Sequence, residues 1–183
     1  YPVVIRGCYL CWLLPEPKSF SLILCDEVHY NRRFKIIEAV LTMRDESVLL
    51  KQVESFISVL AQCQALGITV TAARENELIL ELPYSEHTIG NPDSKVIHGG
   101  AITTLMDTTA GAAVLCAMPD FELCPTLDLR VDYMRSARPG YPVYARASCY
   151  RVTNNIVFMR CEAYQVDRTV AHCVATFMRM GAK

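Results

Sequence analysis

The chain has 183 residues, of which 52% are hydrophobic and 20% are charged, which is enough for one filled hydrophobic core but short for two. Eighteen basic and 19 acidic residues leave a net charge of -1, and no basic cluster indicates nucleic acid as a partner. Nine cysteines, an odd number in a chain with a large apolar core, indicate buried, reduced thiols and therefore favour a cytoplasmic protein.

The first 42 residues differ in pattern from the rest of the chain. They are apolar but poorly periodic, and three prolines interrupt them. Their stretch from Tyr1 to Leu14 is too short for a membrane span and contains Arg6, and they lack the pattern of a secretory signal. The pair Cys8 and Cys11 lacks the second pair of a zinc site. Because Met43 is the first methionine, we expect residues 1–42 to be a dispensable extension and residues 43–183 to form the domain.

A helix and a hairpin are predicted next. Ser47 is expected to cap a helix that runs to about Leu66 and ends at Gly67, with apolar residues at helical spacing. The stretches 68–73 and 77–82 alternate across a polar turn, which is typical of a β-hairpin. The polar stretch that follows, up to residue 95, is of the kind of loop that often carries a site.

A long helix is predicted over residues 99–118, which contain a single charged side chain, Asp107. A lone carboxylate in an uncharged helix is costly to bury unless it is paired or takes part in chemistry. Helical spacing places small residues on the same face as Asp107, so a substrate could lie close to the backbone there. These residues are Gly100, Thr103, Thr104, Ala110 and Gly111. Packing of another helix or subunit would use the same small residues, and that alternative stays open.

The same run has the length of a membrane-spanning helix. Asp107, four threonines and three glycines make it a weak candidate. The alternating strands predicted after it suit a water-exposed sheet. We therefore expect no membrane span.

His98, Gly99 and Gly100 stand at the start of this helix. The first N–H groups of a helix have no partner within it, and two residues without side chains let a substrate oxygen approach them. Such donors, about two turns from the carboxylate of Asp107, predict an oxyanion hole and a base for attack on a carbonyl group.

Four strands are predicted after Pro119, over residues 126–133, 142–151, 156–166 and 169–180. The first alternates apolar and polar residues, so one of its faces is expected to be buried. Short turns between consecutive strands predict an antiparallel meander. Together with the hairpin, these strands predict an α+β fold in which an antiparallel sheet wraps around a long central helix.

Several of these motifs together resemble a known family. They are the run Gly90-Asn91-Pro92-Asp93-Ser94-Lys95-Val96-Ile97-His98-Gly99-Gly100, Asp107 nine residues after the histidine, the strand from Thr126 to Met134, and Arg138-Pro139-Gly140. The combination resembles the hotdog-fold acyl-CoA thioesterases of the PaaI type, and among them the YigI-like medium- and long-chain members. The resemblance covers about residues 49–180. It implies an acyl-CoA substrate, no cofactor or metal, and a homodimer or dimer of dimers with the site across the subunit interface.

The resemblance also implies roles for individual residues. Asp107 would act as general base for water or as nucleophile on the thioester carbonyl, while the Gly99 N–H polarises the carbonyl oxygen. Asn91 and His98 would orient substrate or water, and Thr126 would help to hold the attacking water. For His98 the alternative is a loop residue whose ring bonds only the backbone.

One residue departs from the family pattern. Many members have a glycine three residues before the histidine, where this chain has Lys95, so the role of Asn91 is open. Arg135, Arg138 and Arg151 are candidates to contact the phosphates of coenzyme A, although exposed arginines at strand ends are more often only solvated.

Two other functions fit the same features. A hydratase or dehydratase acting on an acyl thioester would use a histidine base together with an acid on the helix. A non-catalytic module would keep the fold and hold acyl-CoA without cleaving it. The acyl chain length is not indicated by the sequence beyond the likeness to medium- and long-chain members.

Overall fold

A computed structural model describes residues 44–180 of the chain. Its elements, in order, are α1 Glu46–Ser58, α2 Ala61–Leu66, β1 Thr69–Arg74, β2 Glu77–Leu82, a short 3-10 helix Glu86–Thr88, α3 Gly99–Ala117, β3 Thr126–Tyr133, β4 Val143–Val152, β5 Ile156–Gln165 and β6 Arg168–Met178. The prediction that residues 1–42 are a dispensable extension, and the Cys8 and Cys11 pair, lie outside the described residues.

The six strands form one antiparallel sheet in the order β1-β2-β4-β5-β6-β3. The predicted hairpin is β1 and β2. The expectation that all four later strands form a meander is wrong for β3, which pairs with β6 at the far edge and not with β4. The connection from β3 to β4, residues 134–142, contains two prolines and is too long for a tight hairpin turn.

Helix α3 packs against the concave face of this sheet. Eleven of its 19 residues are buried, and the strands present small side chains to it, which bring the helix close to the sheet. Fully or almost fully buried alanines on the strands are Ala145, Ala147, Ala163, Ala171 and Ala175. The predicted α+β architecture, a sheet wrapped around a central helix, is confirmed.

One face of α3 is left uncovered by the sheet. The residues that are not fully buried include Gly100, Thr103, Thr104, Asp107, Thr108 and Gly111. Ala110 is completely buried, so its predicted place on this face is wrong. In an α-helix it is rotated by about 100° from Gly111, which turns it toward the sheet.

Helix α3 also has the length and composition of a membrane span. Its mean hydropathy is 1.3 over the most apolar stretch, and 56% of that stretch is buried inside the protein. Among residues 44–180 it is the single helix with these properties. The core helix of a folded domain has the same composition, since it is covered on most sides.

The predicted helix from Ser47 to Leu66 is two helices. Asp45, rather than Ser47, caps α1, because its carboxylate accepts the backbone N–H of Ser47 at 2.8 Å. Gly67 ends α2 in the left-handed conformation, with φ of 68°, as the sequence predicts.

The break between α1 and α2 lets both helices turn their apolar residues inward. Ile57 and Cys63 are both buried, yet in one unbroken helix they would lie about 120° apart around the axis. The chain is extended at Leu60, with φ of -83° and ψ of 108°. The break therefore brings the second helix into phase with the core.

Strand β3 lies at the edge of the sheet. Leu129 and Val131 are half-buried, but Leu127 and Tyr133 are 53% and 49% exposed, and the pairing with β6 is interrupted between Thr126 and Asp128. Within residues 44–180 no other strand pairs with the second edge of β3. The buried face that the alternation predicts is thus incomplete within one chain.

Arg44 holds the C-terminal end of α3. Its guanidinium donates to the carbonyl oxygens of Leu115, at 2.8 Å, and Cys116. These carbonyls have no partner within the helix and carry partial negative charge, so a cation there is favourable.

The cysteines of the described segment are free thiols, and all but Cys124 are buried. Burial raises the pKa of the Cys116 thiol to about 11, an effect that the nearby Arg44 partly offsets. The thiol is therefore protonated at neutral pH. Among residues 44–180, five of the six cysteines are buried, as predicted.

Candidate active site

Asp107 lies in the middle of the uncovered face of α3 and is half-buried. The hydroxyl of Thr126, the first residue of β3, donates to its Oδ1 atom at 3.0 Å. No basic side chain within residues 44–180 forms an ion pair with it. The carboxylate is thus oriented by one hydroxyl and keeps its second oxygen available to a ligand.

A cavity of about 470 Å³ opens beside this carboxylate. It runs between α3 and the segment that leads into β3, and its walls are mostly apolar. Among its lining residues are Asp107, Gly111, Leu115, Phe121, Thr126 and Phe177. A side chain at position 111 would start 3.2 Å from the ring of Phe177, so glycine keeps this part of the helix close to its neighbours. The site combines a carboxylate with a pocket for an apolar group.

The N-terminus of α3 begins directly after His98. The Nδ1 atom of His98 accepts the backbone N–H of Gly100 at 2.9 Å, so the donor of Gly100 is already used by the cap. The N–H of Gly99 has no hydrogen-bond acceptor among the described residues. Of the two predicted oxyanion donors, Gly99 is the one left open.

Tyr133, the last residue of β3, fixes this end of the helix. Its hydroxyl donates to the carbonyl of Gly99 at 2.6 Å and lies 2.6 Å from the Thr103 hydroxyl. A side chain at position 99 would start 3.2 Å from the same hydroxyl. The alternation of polar and apolar residues in β3 indicates Tyr133 only as an apolar residue of the strand. Its position at the end of an alternating strand gave no signal of this contact.

The hydroxyls of the two threonines that follow bond to their own helix. Thr103 donates to the carbonyl of Gly99 at 3.1 Å, and Thr104 donates to that of Gly100 at 2.9 Å. Such bonds satisfy the hydroxyls locally. Both residues therefore present mainly their methyl groups and their small size to anything lying on this face.

The loop before His98 is ordered by Asn91. Its side-chain oxygen accepts the N–H groups of Asp93, at 2.8 Å, and Ser94, at 3.1 Å, which is a turn that asparagine commonly stabilises. Lys95 follows with φ of 57°, a left-handed conformation that favours glycine. This explains why glycine suits the position and identifies Lys95 as a strained residue.

The two candidate arginines at the end of β3 differ. Arg138 pairs with Asp167 at 2.9 Å, although both side chains are more than half exposed. Arg135 lies two residues after Tyr133, and its side chain has no ion-pair partner within the described segment. Arg135 is therefore the freer cation near the N-terminus of α3.

Of the predicted catalytic residues, the structure brings Asp107 and Thr126 together but not Gly99, His98 or Asn91. Asp107 and Gly99 are eight residues apart on one helix, which separates them by about 12 Å along its axis. His98 and Asn91 precede Gly99 and make no hydrogen bond to Asp107 within residues 44–180. No group of three metal-ligating side chains occurs in this part of the chain.

Comparison with known proteins identifies the family. The family model described as the thioesterase superfamily matches residues 94–172, from the loop before α3 into β6. A Pseudomonas aeruginosa protein of known crystal structure is 57% identical, with a TM-score of 0.67, and the match covers 72% of this chain and 99% of that one.

Two Escherichia coli proteins are also similar. The medium/long-chain acyl-CoA thioesterase YigI of strain K12 is 28% identical over 156 residues, which is 78% of this chain and 99% of YigI. The PaaI protein of the phenylacetic acid degradation operon shares the fold, with a TM-score of 0.66 and 20% identity over 76% of this chain and 99% of PaaI. The chain belongs to the thioesterase superfamily and is a PaaI-like hotdog thioester hydrolase.

Replacement of Lys95 by glycine should stabilise the protein. Glycine adopts the left-handed conformation without the penalty that a lysine pays, and we expect a gain of about 0.5 to 1 kcal/mol in the free energy of unfolding. Urea denaturation measures it. Asp93→Gly, in the same loop but without positive φ, is the control and should destabilise. Equal effects of the two variants would contradict the assignment of strain to Lys95.

Proposed function

We propose that the protein hydrolyses the thioester of medium- or long-chain acyl-CoA to a free acid and CoA. The observation that carries this proposal is the carboxylate of Asp107, which is half-buried, bonded to Thr126 and placed at an apolar cavity of about 470 Å³. A carboxylate that forms no ion pair with any cation of residues 44–180, next to space for an acyl chain, suits attack on a thioester carbonyl.

In the reaction as proposed, Asp107 takes a proton from water while the water oxygen attacks the carbonyl carbon. The N–H of a Gly99 stabilises the negative charge that develops on the carbonyl oxygen. When the tetrahedral intermediate collapses, the carbon–sulfur bond breaks, and the proton held by Asp107 passes to the leaving sulfur. In the second form of this mechanism the Asp107 carboxylate attacks the carbonyl carbon itself, and the carbon–sulfur bond breaks to release CoA thiolate, which takes a proton from solvent. Water then hydrolyses the resulting anhydride to the free acid and regenerates Asp107. Thr126 keeps the carboxylate oriented in both.

In this proposal each active site combines Asp107 of one subunit with the Gly99 N–H of a partner subunit. The separation of about 12 Å along one helix is too large for both groups to touch one carbonyl. The second edge of β3 is free within the described chain, and its exposed apolar residues suit contact with another copy. A homodimer, or a dimer of dimers, would place His98 and Asn91 of the partner opposite Asp107.

The remaining candidate residues have simpler proposed roles. Gly100, Thr103, Thr104 and Gly111 let the substrate lie close to the helix, since none of them presents a large side chain. Arg135 and, less directly because of its pairing with Asp167, Arg138 would contact the phosphates of CoA. The free thiols of the described segment support a cytoplasmic location, and the proposal includes no cofactor and no nucleic acid or membrane partner.

Asp107→Asn should abolish thioester hydrolysis. We expect kcat to fall by about 10² to 10⁴, the usual contribution of a general base, in an assay of CoA thiol release from dodecanoyl-CoA. Asp132→Asn is the matched control, because Asp132 lies on the opposite face of the sheet, beside Arg146 and His172. Undiminished release by Asp107→Asn would refute the role of this carboxylate, and hydration of an enoyl-CoA without thiol release would favour a hydratase.

Gly99→Pro tests the oxyanion donor. Gly99 is the first residue of α3, a position where proline is tolerated because its missing N–H needs no helical partner. Gly99→Ala is the matched control, since it adds the same contact with Tyr133 but keeps the N–H. We expect kcat of the proline variant to be about 10² to 10³ lower than that of the alanine variant. Equal kcat values would rule out the Gly99 N–H as the donor.

Mixing the two inactive variants tests the shared site. If Asp107 and Gly99 come from different subunits, a mixed dimer of Asp107→Asn and Gly99→Pro contains one intact site. Random exchange at equal amounts should therefore restore about a quarter of the wild-type activity. The measurement is thiol release after the mixture is refolded together. Activity that stays at the level of the separate variants would place both groups within one subunit or outside the site.

A further inference from the structure

A second cavity adjoins the one that contains Asp107. Its volume is about 660 Å³, and it lies between the outer face of α1 and the segment that follows α3. Apolar side chains of its lining are Val48, Phe56, Val59, Leu115, Met118 and Phe121. We call it the distal chamber, and the cavity beside Asp107 the proximal chamber. Three residues, Phe56, Leu115 and Phe121, line both, so the two chambers meet at these side chains.

Two aromatic rings stand at the junction. The ring centroids of Phe56 and Phe121 are 6.4 Å apart, with an interplanar angle of 65°, an edge-to-face contact. Phe56 belongs to α1 and is half-buried, whereas Phe121 belongs to the segment after α3 and is 66% exposed. Because most of its surface is exposed, the ring of Phe121 can change rotamer at little packing cost, which would widen the passage.

The backbone beside Phe121 is held in place. The carboxylate of Glu122 accepts two hydrogen bonds from Arg179, at 2.6 and 3.1 Å, and Arg179 also donates to the carbonyl of Thr153 at 3.0 Å. The side chains of Arg179 and Glu122 are only 20% and 12% exposed. A bidentate ion pair with little solvent fixes geometry well, so the position of the aromatic junction is set by the fold.

We propose that the two chambers form one channel for the acyl chain and that Phe56 and Phe121 are its gate, which determines how well long chains are used. This inference rests on the proposed thioesterase function. The occupant is the part of the acyl chain far from the thioester. Continuity with the site of Asp107 and the apolar lining on both sides of the gate support this occupant over a separate ligand.

The distance between Asp107 and the gate predicts how activity depends on acyl chain length. Asp107 and Leu115 are eight residues apart on α3, so the gate lies about 12 Å along the helix from the carboxylate. A short acyl chain ends in the proximal chamber, whereas a long one must pass the gate. Each methylene that leaves water for an apolar channel should raise kcat/KM about fourfold, and this gain should continue into the distal chamber.

The experiment places an additional carboxylate among the apolar side chains of the distal chamber, whose lining also includes the charged residues Arg44, Lys51 and Asp120. Val48 lines it and is 50% exposed, in the first turn of α1, where an acidic residue is compatible with the helix. Val48→Glu should lower the ratio of kcat/KM for hexadecanoyl-CoA to that for hexanoyl-CoA by about tenfold or more, because only the long chain meets the charge. Phe121→Ala, which opens the gate, should raise the same ratio.

The matched control is Val166→Glu, in the turn between β5 and β6, where the residue is 95% exposed and lines neither chamber. It should leave the ratio unchanged. If Val48→Glu behaves like this control while the wild type still hydrolyses both substrates, the channel is refuted and the proposed function stands.

A binding measurement tests the channel even if the protein is not a thioesterase. If the wild type releases no thiol from any acyl-CoA, the proposed function fails, and calorimetric titration with dodecanoate then tests the channel alone. A Kd that Val48→Glu raises by about tenfold, with no change in Val166→Glu, supports the channel. Equal Kd values in the two variants, or no binding by the wild type, overturn it.

Discussion

Burial of one long, nearly uncharged helix is the constraint on which the rest of this structure depends. The sheet must curl to cover α3, and its inward alanines are small enough to let the helix lie close. A single curved sheet cannot enclose a helix completely. The uncovered face of α3 carries Asp107, the one charged residue of this helix. The packing that stabilises the domain therefore leaves this carboxylate beside a cavity.

Local pattern was sufficient for much of the fold. The hairpin of β1 and β2 and the limits of α3 follow from periodicity and turn residues within a few positions of each other. The place of β3 beside β6 could not be predicted in this way, because it depends on where a nine-residue connection leads. The split between α1 and α2 likewise depends on tertiary contacts, since Cys63 must turn inward together with Ile57.

In the candidate site, too, some features follow from local sequence and others depend on tertiary contacts. Asp107 stood out because a lone carboxylate in an apolar helix requires an explanation, and the family motif added Thr126, which contacts it. The occupation of the Gly100 N–H by His98 and the contact of Tyr133 with Gly99 depend on side-chain rotamers and on strand register. Neither of these two hydrogen bonds could be predicted from the sequence. Lys95 could be predicted in part. The family pattern identifies the position as one where glycine is common, and the positive φ in the structure gives the physical reason.

Arg44, the first residue that the structure describes, forms hydrogen bonds that hold the central helix. This residue precedes α1, yet it bonds two carbonyls more than 70 positions away. Shortened versions of the protein that begin after Arg44 would retain every strand and helix of residues 44–180 but lose the cation at the C-terminal end of α3. Versions shortened for expression and crystallisation should therefore include Arg44, upstream of α1.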